Sequence, residues 1–267
     1  NGIMMNEIMF RRNMSDEAPV FETTTGPVRV ITAASLFDGH DAAINVMRRL
    51  IQSSGAEVIH LGHDRSAKDV VDCAVQEDAH AVALTSYQGG HMEYFTYIRQ
   101  LLDEAGCTHV RIFGGGGGTI TPPEIRDLHK SGISRIYSPD DGRKMGLMGM
   151  IHDLMGTASA VDLISDDRLA SLDGPITADD MAKVGLLLTL SESASDEDFK
   201  AMIEKTRSSD KEVPVIGFTG TGGAGKSSLL DELMLRILRD NPDKKVCLLC
   251  VDPTRKRTGG ALLGDRI

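Results

Sequence analysis

From Val28 onward, short apolar runs alternate with longer segments whose apolar positions recur at helical spacing. VRVITAA (28–34), AEVIHLG (56–62), AVALTS (81–86), THVRIFGG (108–115) and SRIYSP (134–139) are brief and largely apolar, which predicts strands. DAAINVMRRLIQSSG (41–55), SAKDVVDCAVQEDA (66–79), HMEYFTYIRQLLDEAG (91–106), PPEIRDLHKSG (122–132) and GRKMGLMGMIHDLMG (142–156) carry the helical period. Glycine closes several of them, and Ser66 stands where an N-cap belongs.

Strands that alternate with helices predict an α/β domain over 28–156, a doubly wound five-stranded parallel sheet of flavodoxin-like type. The apolar strands agree, because parallel strands are buried on both faces. Such sheets bind ligands beyond the carboxyl ends of their strands. The unusual residues fall there: DGHD (38–41), TSYQGGH (85–91) and GGGGGT (114–119).

The flanks differ in character. Residues 1–27 have no signal-peptide core and are expected to be a flexible arm. Residues 157–212 are acidic and serine-rich, with one helix expected after Pro175, capped by the Thr177–Asp180 stretch, and another from Ser195; they read as a helical linker. Residues 213–267 open a second α/β domain, with a strand in VPVIGF, a glycine loop, a helix, and a strand in KKVCLLCVDP. A nucleotide-binding α/β domain needs on the order of 150 residues, so this second domain is expected to be incomplete here.

Composition narrows the partners. A formal net charge of −10 argues against nucleic acid or an anionic membrane. No apolar run approaches the roughly 20 residues of a membrane span. The scattered cysteines Cys73, Cys107, Cys247 and Cys250 suggest a reducing, cytoplasmic setting rather than a disulfide framework. Cys247 and Cys250 form a C-x-x-C inside a predicted strand, which reads as two core thiols; redox or metal chemistry is the alternative, without a second ligand pair to support it.

The most specific chemistry lies in the second domain. Gly220-Thr221-Gly222-Gly223-Ala224-Gly225-Lys226-Ser227 matches G-x-x-x-x-G-K-[ST] between a predicted strand and a predicted helix. Gly220, Gly222, Gly223, Ala224 and Gly225 would wrap phosphate oxygens with backbone amides, and Ser228 extends the loop into the helix. Lys226 would neutralise β/γ charge as the catalytic cation, and Ser227 would join an Mg²⁺ shell. Asp252 and Asp265 are further candidates for Mg²⁺, each with a bland reading as a surface or capping aspartate.

In the first domain, His40 lies just past the first strand with Asp38 two residues before it. A carboxylate on one ring nitrogen fixes the tautomer and angle of an imidazole and makes the other nitrogen a better ligand. By position alone His40 is equally a solvent-exposed helix cap. Thr85 and Ser86 end the third strand, Gly89 and Gly90 follow, and Gly114, Gly115 and Gly116 belong to a run that strips side chains from the fourth strand's exit. Together they suggest a deep slot for a bulky ligand; a floppy turn is the alternative for the glycine run. His91 begins the third helix beside that slot. His60 and His63 form an H-x-x-H, a weak metal signal, while His80, His109, His129 and His152 read as surface or edge residues.

Asp38-Gly39-His40-Asp41-Ala42-Ala43 resembles the D-x-H-x-x-G signature of cobalamin-binding domains. The resemblance implies that His40 is the lower ligand of the cobalt. It also implies that the displaced nucleotide tail enters a slot lined by Thr85-Ser86-Tyr87 and Gly114-Gly115. The match departs at Ala43, Thr85 and Tyr87, where that family has glycine, serine and leucine. GFTGTGGAGKSSLLDEL, VDPT and TGGALLGDR resemble the MeaB-type GTPases that act as chaperones for acyl-CoA mutases. The two in one chain resemble the fused isobutyryl-CoA mutases. That resemblance implies adenosylcobalamin, GTP/GDP and Mg²⁺ as cofactors, a radical carbon-skeleton rearrangement of an acyl-CoA bound by a barrel domain not present here, and a dimer. A corrinoid methyl carrier with an appended GTPase would use the same His40. A receiver-like signalling domain would need an aspartate at the end of the third strand, where this chain has Thr85-Ser86-Tyr87.

Overall fold

Strand β1 (Arg29–Ser35) is buried at every position because it has a parallel neighbour on each side and helices on both faces. With β2 (Glu57–Arg65), β3 (Ala81–Thr85), β4 (Arg111–Gly115) and β5 (Arg135–Tyr137) it forms one parallel sheet in the order β2-β1-β3-β4-β5. The computed structural model describes residues 21–177, 179–207 and 213–250. The chain falls into two compact units, residues 1–210 and 211–267.

The helices follow the sequence rhythm: α1 (Asp41–Ser53), α2 (Ala67–Gln76), α3 (His91–Glu104), α4 (Pro122–Lys130) and α5 (Pro139–Ser159). One face of the sheet buries Ile31, Val82, Leu84, Ile112 and Ile136 against Val70, Phe95, Ile98 and Leu128. The other buries Val30, Ala83, Phe113 and Tyr137 against Ile51, Ile151 and Leu154. Alternation along each strand sorts the two sets.

Boundaries shift where local chemistry competes. β2 reaches Arg65, beyond the predicted Gly62, and carries Asp64 to the carboxyl edge. β4 starts only at Arg111, after a turn closed by Val110 N–H on the Cys107 carbonyl. α5 begins at Pro139 because Ser138 and Asp141 make a reciprocal capping box and proline suits a first turn. It is interrupted at Gly146, whose φ of 67° and ψ of 176° only glycine adopts readily. Within the expected N-terminal arm, Glu22–Thr23 and Gly26–Pro27 pair as a small antiparallel hairpin.

The segment expected to be a helical linker is helical and belongs to the first unit, packed against the sheet's helix α2. It contains α6 (Asp166–Ala170), α7 (Met181–Ser193) and α8 (Asp196–Thr206), gathered around buried Leu172, Leu186 and Leu190. α7 approaches α2 so closely that a Cβ on Gly185 would lie 2.8 Å from the Val75 carbonyl oxygen. A buried carboxylate completes the contact. Asp78 accepts from Arg168 Nη2 at 2.5 Å and from Thr189 Oγ1 at 2.7 Å, while Thr189 accepts from Arg29 Nη2 at 2.6 Å.

His80 and His109 belong to this network, which corrects their reading as surface residues. His80 Nδ1 accepts the Arg29 amide at 3.0 Å, and His109 Nε2 lies 3.7 Å from Asp78. Burial, reinforced by the positive field of Arg29, pulls His80 down to about 4. Burial, with Arg168 next, does the same to His109. His129 is exposed, as expected, and its Nε2 accepts the Ile136 amide.

In the second unit the described residues contain one helix, α9 (Lys226–Asp240), behind the glycine loop. The strands expected at 213–218 and 244–253 do not form among the described residues, which end at 250. An extended run becomes a strand only with a ladder partner; here Val213, Val215 and Ile216 are exposed. Cys247 and Cys250 are likewise exposed rather than in a core. Among the described residues no helix is long and apolar enough to cross a membrane.

Candidate functional site

The chain leaves β1 through a tight turn in which Asp38 N–H donates to the Ser35 carbonyl at 3.0 Å. Phe37, at the tip, holds a φ of 63° and donates its amide to Asp64 Oδ1 at 2.7 Å. The turn drives the Asp38 side chain inward until the residue is 1% exposed. Its Oδ1 accepts the His40 amide at 2.9 Å and His40 Nδ1 at 2.8 Å; its Oδ2 accepts the Tyr87 amide at 2.6 Å. Burial alone would raise the carboxyl, but the hydrogen bonds from Tyr87 and His40 outweigh it and hold the group below its ordinary range.

An ionised carboxylate only accepts, so Nδ1 carries a proton, and in the neutral ring Nε2 keeps its lone pair. His40 occupies the N-cap position of α1 yet makes no capping hydrogen bond, and its side chain is 75% exposed. The helix-cap alternative therefore lacks its defining bond. Asp41 opens α1, and Gly39 is exposed with open space around it.

The β3 exit is wired to its neighbours. Ser35 Oγ donates to Ser86 Oγ at 3.0 Å, and the Ser86 amide donates to the Gly115 carbonyl at 2.9 Å. Gln88 Nε2 donates to the Leu36 carbonyl. Thr85, Gly115 and Tyr137 stand side by side in register across three strands. Above that row, a cavity of about 420 Å³ opens between α1 and α5, walled by Ile44, Met47, Leu147 and Tyr137, with Thr85 and Gly115 in its floor.

The glycines of 114–117 serve different ends. A Cβ on Gly114 would strike Phe95 and Ile136 on the opposite face, within 2.3–2.8 Å. On Gly116 it would lie 1.9 Å from the Ser86 carbonyl oxygen, and on Gly117 3.2 Å from the Tyr87 ring. On Gly115 it would meet only the Tyr137 carbonyl oxygen, at an ordinary 3.5 Å. Gly115 is thus the position whose missing side chain leaves the cavity open, whereas Gly114 and Gly116 are demanded by packing.

A nucleotide-like tail fits this cavity. Its walls are apolar, its floor is partly bare backbone, and the buried Thr85 Oγ1 has no hydrogen-bond partner among the described residues. An orphaned buried hydroxyl costs free energy unless a ligand or water engages it.

Other predicted residues fall elsewhere. His91 is buried, with Nδ1 3.2 Å from the Gln88 carbonyl and Nε2 3.3 Å from Glu124; it braces the loop and does not line the cavity. Gly89 and Gly90 are exposed ahead of α3. His60 Nδ1 lies 2.9 Å from Thr32 Oγ1, and among the described residues no group of three or more metal-ligating side chains gathers. Sequence reasoning missed Ser35, Tyr137 and the α1 and α5 wall residues. The strand register could have pointed to Tyr137, but nothing local to Leu147 signals the cavity.

In the second unit the loop 220–225 turns through Gly223 and Gly225, at φ of 76° and 77°. Lys226 Nζ donates to the Thr221 carbonyl at 3.0 Å, so the lysine folds back over its own loop. Ser227 and Ser228 lie exposed in the first turn of α9, beside the positive end of its dipole. Asp252 and Asp265 lie outside the described residues.

Comparison with known proteins finds two families along the chain. The family model of the B12 binding domain matches residues 28–140, and that of the methylmalonyl-CoA mutase-associated GTPase MeaB matches residues 184–267. The chain is 52% identical to the fused isobutyryl-CoA mutase of Geobacillus kaustophilus and 53% to that of Nocardia farcinica, each over 90% of its own length. It spans 22% of the length of each. It is also 31% identical to the 2-hydroxyisobutanoyl-CoA mutase small subunit of Aquincola tertiaricarbonis, of which it covers 82%. The chain belongs to the fused isobutyryl-CoA mutase family, in which it contributes a B12-binding domain joined to a MeaB-type GTPase region.

Proposed function

We propose that the first unit binds cobalamin with His40 Nε2 as the lower cobalt ligand and the cavity over Thr85 and Gly115 as the receptacle for the nucleotide tail. The observation that carries this reading is the Asp38–His40 pair: a buried, ionised carboxylate fixes Nδ1–H and leaves an exposed Nε2 lone pair at the cavity's sheet edge. Asp38 contributes the basicity and ring orientation of that nitrogen. Thr85 offers the tail a hydrogen bond, and the apolar walls of α1 and α5 exclude water from it. When bound, adenosylcobalamin supplies a cobalt–carbon bond whose homolysis begins radical chemistry; the chain's residues bind and orient it.

In the second unit, the 220–228 loop binds the phosphates of GTP, with Lys226 turned from the Thr221 carbonyl to the β/γ oxygens and Ser227 on Mg²⁺. Asp252 and Asp265 complete the metal shell in this reading. The whole protein would rearrange the carbon skeleton of an acyl-CoA of the isobutyryl type, held by a further domain, and would work as a dimer in the cytoplasm. The four unpaired thiols suit that reducing setting. Titrating the chain with aquocobalamin tests the first step: saturable binding of one corrinoid per chain is expected, and its absence would refute the reading.

A further inference from the structure

Tyr87 joins the two halves of the site. Its amide donates to Asp38 Oδ2 at 2.6 Å, so the carboxylate that holds the His40 ring also fixes the base of Tyr87. The Tyr87 ring centroid lies 5.6 Å from that of His40, with the planes tilted by 49°. Gly117 seats the ring: a Cβ there would stand 3.2 Å from Tyr87 Cε1, and its φ of +57° suits glycine.

One hydrogen bond does not fix an imidazole plane. With the ring tethered at Cβ, the Asp38 contact sets the mean position of Nδ1, but a hydrogen bond tolerates tens of degrees of bend, so coupled χ1 and χ2 excursions of the ring remain. His40 is 75% exposed, so core packing does not stop that motion. The Tyr87 ring, 5.6 Å away, limits it on one side, since swinging that way would drive one ring into the other. The geometry points to Tyr87 as a positioning residue that orients the His40 imidazole, and thereby the direction of its Nε2 lone pair. This rests on the reading of His40 as cobalt ligand and adds to it a second restraint beside the hydrogen bond. Tyr87 lines the cavity mouth as well, which makes a tail contact the competing role.

Two measurements on the full chain separate these roles. In the ligand-free chain with isotope-labelled histidine rings, assigned through His40→Ala, the Tyr87→Ala variant should move the His40 ring-proton resonances by removing the ring current, and Tyr87→Phe should restore them. Corrinoid titration then uses cobalamin and cobinamide, which lacks the nucleotide tail. Tyr87→Ala should weaken both by about three- to tenfold, and Tyr87→Phe should recover both. Unmoved His40 resonances in Tyr87→Ala would overturn the proposal, as would a loss confined to cobalamin, which would make Tyr87 a tail contact. If His40→Ala binds both corrinoids like the parent, the ligand reading itself falls and the positioning role with it. That failure is distinct, because the ligand-free resonance shift would persist.

Discussion

Asp38 Oδ1 accepts from both the backbone amide and the ring Nδ1 of His40, at 2.9 and 2.8 Å, while the carboxylate itself is sealed from solvent. The arrangement fixes the tautomer before any ligand arrives. Asp38→Asn matches the carboxylate in size but loses the negative charge that makes Nε2 basic and turns an NH2 towards a donor that an oxygen had accepted. It should weaken cobalamin binding by about 10–100-fold with the sheet and its helices intact. Equilibrium titration checks this; parental affinity would reduce Asp38 to a turn residue.

Gly115 and Gly116 should respond differently to the same substitution. A methyl on Gly116 meets the Ser86 carbonyl oxygen at 1.9 Å, so Gly116→Ala should destabilise the first unit by roughly 1–3 kcal/mol in denaturant unfolding. Gly115→Ala should fold normally. Gly115→Leu should fold too, yet bind cobalamin much more weakly than cobinamide, because its side chain enters the tail cavity. Equal loss for both corrinoids would place the tail elsewhere.

Much of this was legible in the sequence. The alternation of apolar runs with helical periods specified the parallel sheet, because buried strands and amphipathic helices have different periods. The strand exits specified where DGHD, TSY and the glycine run would meet. Register within a row, however, depends on pairing that no single strand encodes, so Tyr137 beside Gly115 was hidden. The docking of residues 161–206 was hidden as well. Their acidic, serine-rich surface reads as solvated, and the residue that anchors them, Asp78, lies far away in the chain. The runs at 213–218 and 245–250 misled for the opposite reason, since apolar character was visible but the ladder partner was not.

The Asp78 network makes stability pH-dependent. His80 and His109 are held neutral in the fold, with ionisation displaced from the ordinary 6.5 down to about 4. Unfolded, each binds a proton below about pH 6.5, so the unfolded state takes up more protons in that interval. Stability should therefore be flat near neutrality and fall as pH drops from about 6.5 towards 4. The stabilisation from Asp38, whose ionisation is lowered, should persist until below pH 3.8. Thermal unfolding across this range checks the sign, and His109→Gln should shallow the slope; an unchanged slope would show that His109 is not held neutral.

Removing the hub itself should cost more. Asp78→Ala strands Arg29 and Arg168 beside each other with their shared acceptor gone, at an expected cost of about 3–5 kcal/mol. Hydrogen exchange should rise most in α7. Exchange in α7 that matches the parent would mean that apolar contacts alone dock it.

Lys226 should matter to nucleotide and not to corrinoid. Its side chain already lies over the phosphate loop, 3.0 Å from the Thr221 carbonyl. In the full-length protein Lys226→Ala should abolish GTP hydrolysis while cobalamin titrates normally. Parental hydrolysis would refute the assignment.

The most direct test of the account is electron paramagnetic resonance of the chain loaded with cobalamin in the cobalt(II) state, with histidine labelled by nitrogen-15. If His40 Nε2 is the lower ligand, the superhyperfine splitting from an axial nitrogen should change from a triplet to a doublet on labelling, and that doublet should be lost in His40→Ala. A triplet that ignores the label in the parent, or a doublet that survives in His40→Ala, would contradict it.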